Sequence, residues 1–353
     1  MARFLKRIAV LLLVPLLLLA AVYFVTDPYK TLRPFSLTYF DTTNRDYLSS
    51  ELFVLNYPEQ EYDSYIFASS RGGGINSYHW LKYLPEGSKQ FLFQAWSETI
   101  TGIDQKVSYI DEHQYNLHNA LVLIDIPGTF SKTQLPTQAL SIKDPRFSRQ
   151  PGWLHQSVLF FDFLQKPSEW VRAVKKHFHP RRPFIGFDVV SNDWDKSNRD
   201  LDVNCIPQKD SLRNLSHTAR AAFFKNYVDN PHAVIPAPES VIDDSMIRTM
   251  NHIREVFRRH DTDYRIVITP GYCYQYPAIS FRDLEIIRSV FGTDTVFDFS
   301  ERMDMTLDYN SFSDPNHFGL RIGWQMIEEI YNPDRESVPG TNKACPRIVE
   351  KLK

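Results

Sequence analysis

Residues 119–127 read NALVLIDIP, a nearly continuous apolar run closed by a proline. A strand covered on one face alternates apolar and polar residues, whereas one covered on both faces is apolar almost throughout. This stretch therefore needs packed layers on both sides of its sheet. Four other runs share the character: 64–69 (SYIFAS), 89–96 (KQFLFQAW), 263–270 (DYRIVITP) and 294–300 (DTVFDFS). Helical spacing separates or follows them. Met246, Ile247, Met250, Ile253, Val256 and Phe257 share one face of a predicted helix, with Asp243, Asp244 and Ser245 as candidate caps. Leu320, Trp324, Ile327, Ile330 and Tyr331 share a face of another. Strands alternating with helices predict an α/β fold, a three-layer αβα arrangement around a parallel sheet.

Residues 128–262 separate the third and fourth runs, far more than a crossover needs. Spacing over 153–165, 168–178 and 216–228 is helix-like, so this segment is expected to be a largely helical insertion over the sheet's carboxyl edge.

The N-terminus adds a second constraint. Arg3, Lys6 and Arg7 precede residues 8–26, IAVLLLVPLLLLAAVYFVT, which carry no charge. That length suits a helix crossing a hydrocarbon core of roughly 30 Å. The positive flank places residues 1–7 in the cytoplasm and the rest outside. Pro15 is tolerable in such a helix. A cleaved signal peptide also has a charged start and an apolar middle. Here the apolar run continues past Ala20 and Ala21 through Val25, so the expectation is an uncleaved, single-pass anchor. The expected organisation is a cytoplasmic flank (1–7), an anchor (8–26), a juxtamembrane stretch (27–62), a domain (63–335) and a tail (336–353).

With 353 residues, 43% of them apolar, the chain can build a large core. A formal net charge of −2 gives no argument for nucleic acid as a partner. Cys205, Cys273 and Cys345 lack metal-finger spacing, and spacing does not say which two could pair. The basic cluster at 175–182 reads as a solvated face that could meet an acidic glycan or anionic lipid. His177 and His179 lack a third ligand, so no metal site is expected. Trp153, Trp170 and Trp194 read as core, with a sugar platform as the alternative.

The chemistry begins at YIFASSRGGGIN, residues 65–76. An apolar strand ends in two serines, an arginine and three glycines. In parallel sheets reactive groups gather beyond the carboxyl ends of the strands. A serine there needs a base, most often a histidine oriented by a carboxylate. SFSDPNHFG, residues 311–319, offers Asp314 and His317 between the fifth strand and the last helix, on the same side of the sheet.

These motifs resemble those of the SGNH/GDSL hydrolase superfamily, and within it a membrane-anchored branch of envelope proteins. That branch has an apolar N-terminal helix, then Asp-Pro-Tyr, a strand ending in Gly-Ser-Ser-Arg, and a late Asp-x-x-His. The chain has Asp27-Pro28-Tyr29, Ala68-Ser69-Ser70-Arg71 and Asp314-Pro315-Asn316-His317. The resemblance implies Ser70 as nucleophile, His317 as base and Asp314 as the orienting acid. It implies no cofactor, an acylated envelope polysaccharide as substrate and envelope assembly proteins as partners. The departures concern the oxyanion hole. Ala68 stands where the branch has Gly, Gln94-Ala95-Trp96-Ser97 lacks the second block's Gly, and Asp125 stands where a side-chain donor is expected. Arg71, Gly72, Trp96, Ser97 and Asp125 are thus the candidates for oxyanion or substrate positioning. The expected function is an extracytoplasmic serine esterase or O-acyltransferase. The alternative is a catalytically silent scaffold of the same fold.

Overall fold

The computed structural model describes residues 1–36, 44–131, 142–178, 187–194, 239–272, 278–301, 303–306, 311–314 and 316–332. Cys205, Cys273, Cys345, the helical pattern at 216–228 and the tail lie outside the described residues.

The five predicted strands form one sheet: β1 (Ser64–Ala68), β2 (Gln90–Gln94), β3 (Asn119–Ile124), β4 (Asp263–Ile268) and β5 (Val296–Asp298). Every pairing within it is parallel, in the order β2-β1-β3-β4-β5. The near-continuous apolar runs are explained by cover on both faces. Tyr65, Phe67, Phe93, Val122 and Ile266 face one cluster, while Ile66, Ala68, Leu92, Leu121 and Val267 face another. The first cluster is closed by α2 (Arg45–Gln60), α4 (Ile100–Glu112), α7 (Asp244–Arg259) and α8 (Phe281–Phe291). The second is closed by α3 (Ser77–Leu81) and α9 (Leu320–Tyr331). The fold is therefore α/β, with helical layers on both sides of a parallel sheet.

The order in which strands are added to the sheet reverses between β1 and β3. β2 lies to one side of β1, and β3, β4 and β5 to the other. Loops leaving such a switch point diverge and open a crevice at the strands' carboxyl ends.

Local caps follow the sequence. Asp243 accepts from the amides of Ser245 (2.9 Å) and Met246 (3.0 Å) to start α7, and Ser280 accepts from the amide of Asp283 to start α8. One helix differs from expectation. Residues 45–60, within the expected juxtamembrane stretch, form α2 and lie in the core. Its inward face mixes Leu48, Leu52, Phe53 and Tyr57 with buried Arg45, Asp46, Ser49 and Ser50, while Leu55 is exposed. That mixture erases the apolar period.

The described parts of residues 128–262 have several destinations. Helices α5 (Gly152–Leu164) and α6 (Pro167–Phe178) pack against α1 (Ala2–Thr26). A short antiparallel ribbon, Phe187–Asp188 with Asp193–Trp194, borders β2, where the Leu92 amide donates to the Ser191 carbonyl. Helix α7 belongs to the layer beneath the sheet. Trp194 is buried against Phe187, Trp170 is half-buried with its indole N–H on the Phe163 carbonyl, and Trp153 is exposed.

At the N-terminus, α1 is helical over 25 residues and ends at Asp27, whose φ of 43° is left-handed. The buried Asp27 carboxylate accepts from the amides of Thr31 and Leu32, each at 3.0 Å, and so turns the chain into the domain. Among the described residues no helix is long and apolar enough to cross a membrane, so the span expected at 8–26 is unsupported by the structure. The described part of α1 exposes Leu11, Leu13, Val14, Leu16, Leu17 and Leu18.

Two glycines fix how closely α9 approaches the serine loop. A Cβ on Gly323 would lie 1.9 Å from the Gly74 carbonyl oxygen, and one on Gly74 would lie 2.5 Å from the Phe318 ring. Gly323→Ala is thus expected to push α9 off the 70–74 turn and cost about 1–3 kcal/mol, the range for overpacked cores. A urea titration of the variant reads this directly, and an unchanged midpoint would contradict the close approach.

Candidate active site

Ser69 and Ser70 follow the last residue of β1 and open a short 3-10 turn, Ser70–Gly74. Ser69 caps that turn by accepting the Arg71 amide on its hydroxyl, at 3.1 Å. Ser69 is buried, while Ser70 stays partly accessible at the mouth of the sheet. Asp314 and His317 sit across a tight reversal between Phe312–Asp314 and His317–Phe318, which pair antiparallel. Phe312 and Phe318 are fully buried and anchor the reversal to the core.

The geometry joins the three residues expected to act together. The Ser70 hydroxyl lies 2.8 Å from His317 Nε2. His317 Nδ1 lies 2.9 and 2.8 Å from the two Asp314 oxygens. Burial works against the Asp314 charge, but its hydrogen bonds with the His317 ring and with the Asn316 and His317 amides hold its carboxyl below the usual range. An ionised carboxylate can only accept, so the imidazole proton sits on Nδ1. Nε2 is then the acceptor facing the serine hydroxyl, the arrangement a general base requires.

A second, buried network surrounds the first. Asp125, just beyond β3, accepts from the hydroxyls of Ser69 and Thr269, the latter at 2.8 Å. Arg71 Nε lies 3.6 Å from Asp125 Oδ1. The Arg71 guanidinium donates to Thr269 Oγ1 at 2.8 Å and, through Nε at 3.0 Å, to Asn316 Oδ1. It also reaches Asn316 through a second N–H. One arginine thus connects the serine loop, the ends of β3 and β4, and the histidine loop. Arg71→Lys keeps the charge but loses the planar fork. Were Ser70 to turn over an ester, the variant would be expected to lower kcat about tenfold or more with little change in KM, because a misplaced reacting group costs rate first. An unchanged kcat would assign Arg71 a purely structural part.

The oxyanion candidates divide. The Gly72 amide donates to the Ser69 carbonyl at 3.0 Å, and a Cβ there would lie 2.6 Å from the Ala68 Cβ. Gly72 therefore serves the turn and its close packing, and its N–H is already engaged. Asp125 is an acceptor held by hydroxyls and an arginine, so it works as a scaffold for the loop. The Ala95 amide is bonded to the Ala68 carbonyl. Trp96 and Ser97 form the turn after β2, Trp96 half-buried and Ser97 exposed with a left-handed φ of 58°.

Sequence reasoning missed Gln94, Thr269 and Asn316. The Gln94 amide donates to the Ser70 carbonyl at 3.2 Å and is itself held by Arg45 Nε at 3.1 Å. A buried glutamine directly after the apolar Phe91–Phe93 was the available signal, since a buried amide needs partners. The chain matches no family model and no curated protein.

Proposed function

We propose that the chain is a serine esterase or O-acyltransferase of SGNH type, anchored through α1 with its domain on the extracytoplasmic side, acting on an acylated envelope polysaccharide. The observation that carries the reading is the unbroken relay from Ser70 through His317 to Asp314 at 2.8 Å spacings. The motif resemblance, the Arg3, Lys6 and Arg7 flank and the exposed leucines of α1 support the class and the location.

The residues do the chemistry in two halves. Ser70 Oγ attacks the ester carbonyl carbon as its proton passes to His317 Nε2, and Asp314 stabilises the resulting imidazolium. The tetrahedral intermediate collapses, the alkoxide leaves, and Nε2 returns the proton to it. Water or a sugar hydroxyl then gives its proton to Nε2 and attacks the acyl-serine, releasing acid or a new ester and restoring Ser70.

A second reading is a catalytically silent scaffold in an envelope assembly complex. The engaged Gly72 amide and the acceptor character of Asp125 favour it, since oxyanion donors are typically worth ~3 kcal/mol each. Incubating the purified full chain with an aryl acetate and with an O-acetylated polysaccharide separates the two. Acetate release or transfer, lost in Ser70→Ala, is the expected outcome. No turnover of either substrate favours the scaffold.

A further inference from the structure

Helices α5 and α6 carry apolar side chains that the core does not use. Trp153 is 73% exposed, Phe161 61%, Val171 71% and Phe178 72%. Along α6, Val171, Val174 and Phe178 follow the spacing of one helix face. Lys175 borders that stripe, Lys176 and Arg172 lie further round the helix, Arg172 paired with Glu169 at 2.9 Å, and Glu169 is the only carboxylate of the helix. The other sides of the two helices hold the carboxyl end of α1. The Tyr23 ring lies 5.2 Å from Phe160 and 5.4 Å from Phe163, and the Tyr29 hydroxyl donates to Asp162 at 2.5 Å. That end of α1 also exposes Phe24 and Val25, whose carbonyls accept from the Arg33 guanidinium at 3.3 and 3.0 Å.

We propose that the α5–α6 pair is an interfacial element lying against the anionic headgroup surface of the membrane that α1 enters. The proposal rests on the reading of α1 as an anchor. Apolar stripes with aromatic residues, bordered by lysine and arginine, suit a helix seated in the headgroup region. Tryptophan favours that depth, and long basic side chains reach outward from it to anionic lipid. Two observations select lipid as the occupant. The basic excess on α6 complements anionic headgroups, and the pair packs on the end of α1, where a membrane helix would emerge, with the Phe24 and Phe160 rings stacked at 6.4 Å. A lone helix lets its domain rotate about the helix axis. A pair of helices seated beside it fixes which side of the domain faces the bilayer, and so the direction in which the Ser70 crevice opens.

The test uses the full chain reconstituted into vesicles of phosphatidylcholine and phosphatidylglycerol with brominated acyl chains. Trp153 emission is read as the difference between wild type and Trp153→Phe. The expected result is loss of more than half of that emission relative to unbrominated vesicles. Alkaline carbonate extraction reads the anchor separately. A chain that resists extraction while its Trp153 stays unquenched overturns the interfacial pair and leaves the anchor intact. A chain that is extracted, but was quenched beforehand, overturns the anchor and with it the placement of the pair beside a membrane-entering α1. Extraction without prior quenching overturns both. The double variant Val171→Ser, Phe178→Ser, checked for retained helicity by circular dichroism, is expected to lose the quenching. Unchanged quenching in it would overturn the part assigned to α6.

Discussion

Ser70→Ala and His317→Ala are each expected to lower ester turnover by on the order of a million-fold, and the double variant to lose scarcely more. The reason is that hydroxyl and imidazole act as one unit. With either missing, the other has no proton to exchange. Asp314→Asn should cost less, about ten-thousand-fold, because it changes the tautomer and the stabilisation of the imidazolium without removing a reacting atom. The measurement is kcat on a simple aryl ester, with thermal melts showing that each variant still folds. Equal and additive losses from all three would contradict a coupled relay.

The largest expected effect on stability lies away from the crevice. Buried Lys106, Asp46 and Glu98 and half-buried Lys143 form a quartet that fastens α2 to α4. Lys106 Nζ is 2.8 Å from Asp46, Lys143 Nζ is 3.0 Å from Asp46 and 3.4 Å from Glu98, and Lys106 also pairs with Glu98. Asp46→Asn leaves two ammonium groups beside one carboxylate. The expected loss is about 3–5 kcal/mol, the cost of an uncompensated buried charge. Burial would raise the Asp46 carboxyl, but the two ammonium groups outweigh it and hold it down to about 2. A lowered carboxyl contributes stability that is complete above its ordinary value near 4 and is lost as pH falls toward the lowered one. Wild type should therefore lose stability across that acid window, and the variant should lack that part of the loss. Urea midpoints at neutral and acid pH read both effects. A change below about 1 kcal/mol would place the quartet with surface ion pairs.

The strands were legible because cover on both faces leaves little room for polar residues. Ser70, Asp314 and His317 were legible for a topological reason: in a parallel sheet, loops leaving the strand ends share one side, so distant residues converge. Other features left weaker traces. Helix α2 hides because Arg45, Asp46, Ser49 and Ser50 occupy inward positions. Arg71, Asp125, Thr269 and Asn316 meet only in three dimensions, and no short-range spacing encodes their contacts. By sequence alone, three glycines in a row suit a backbone that faces substrate and a flexible turn equally. The close packing of Gly72 against Ala68 and of Gly74 against Phe318 depends on neighbours that the local sequence does not name.

Ser70 acting as a nucleophile activated by His317 has a direct chemical signature. The most direct measurement is labelling of the purified chain with a fluorophosphonate, followed by mass mapping of the adduct. The expected result is one adduct, on Ser70, absent in Ser70→Ala and strongly slowed in His317→Ala. A chain that stays unlabelled, or carries the adduct at another serine, would contradict it.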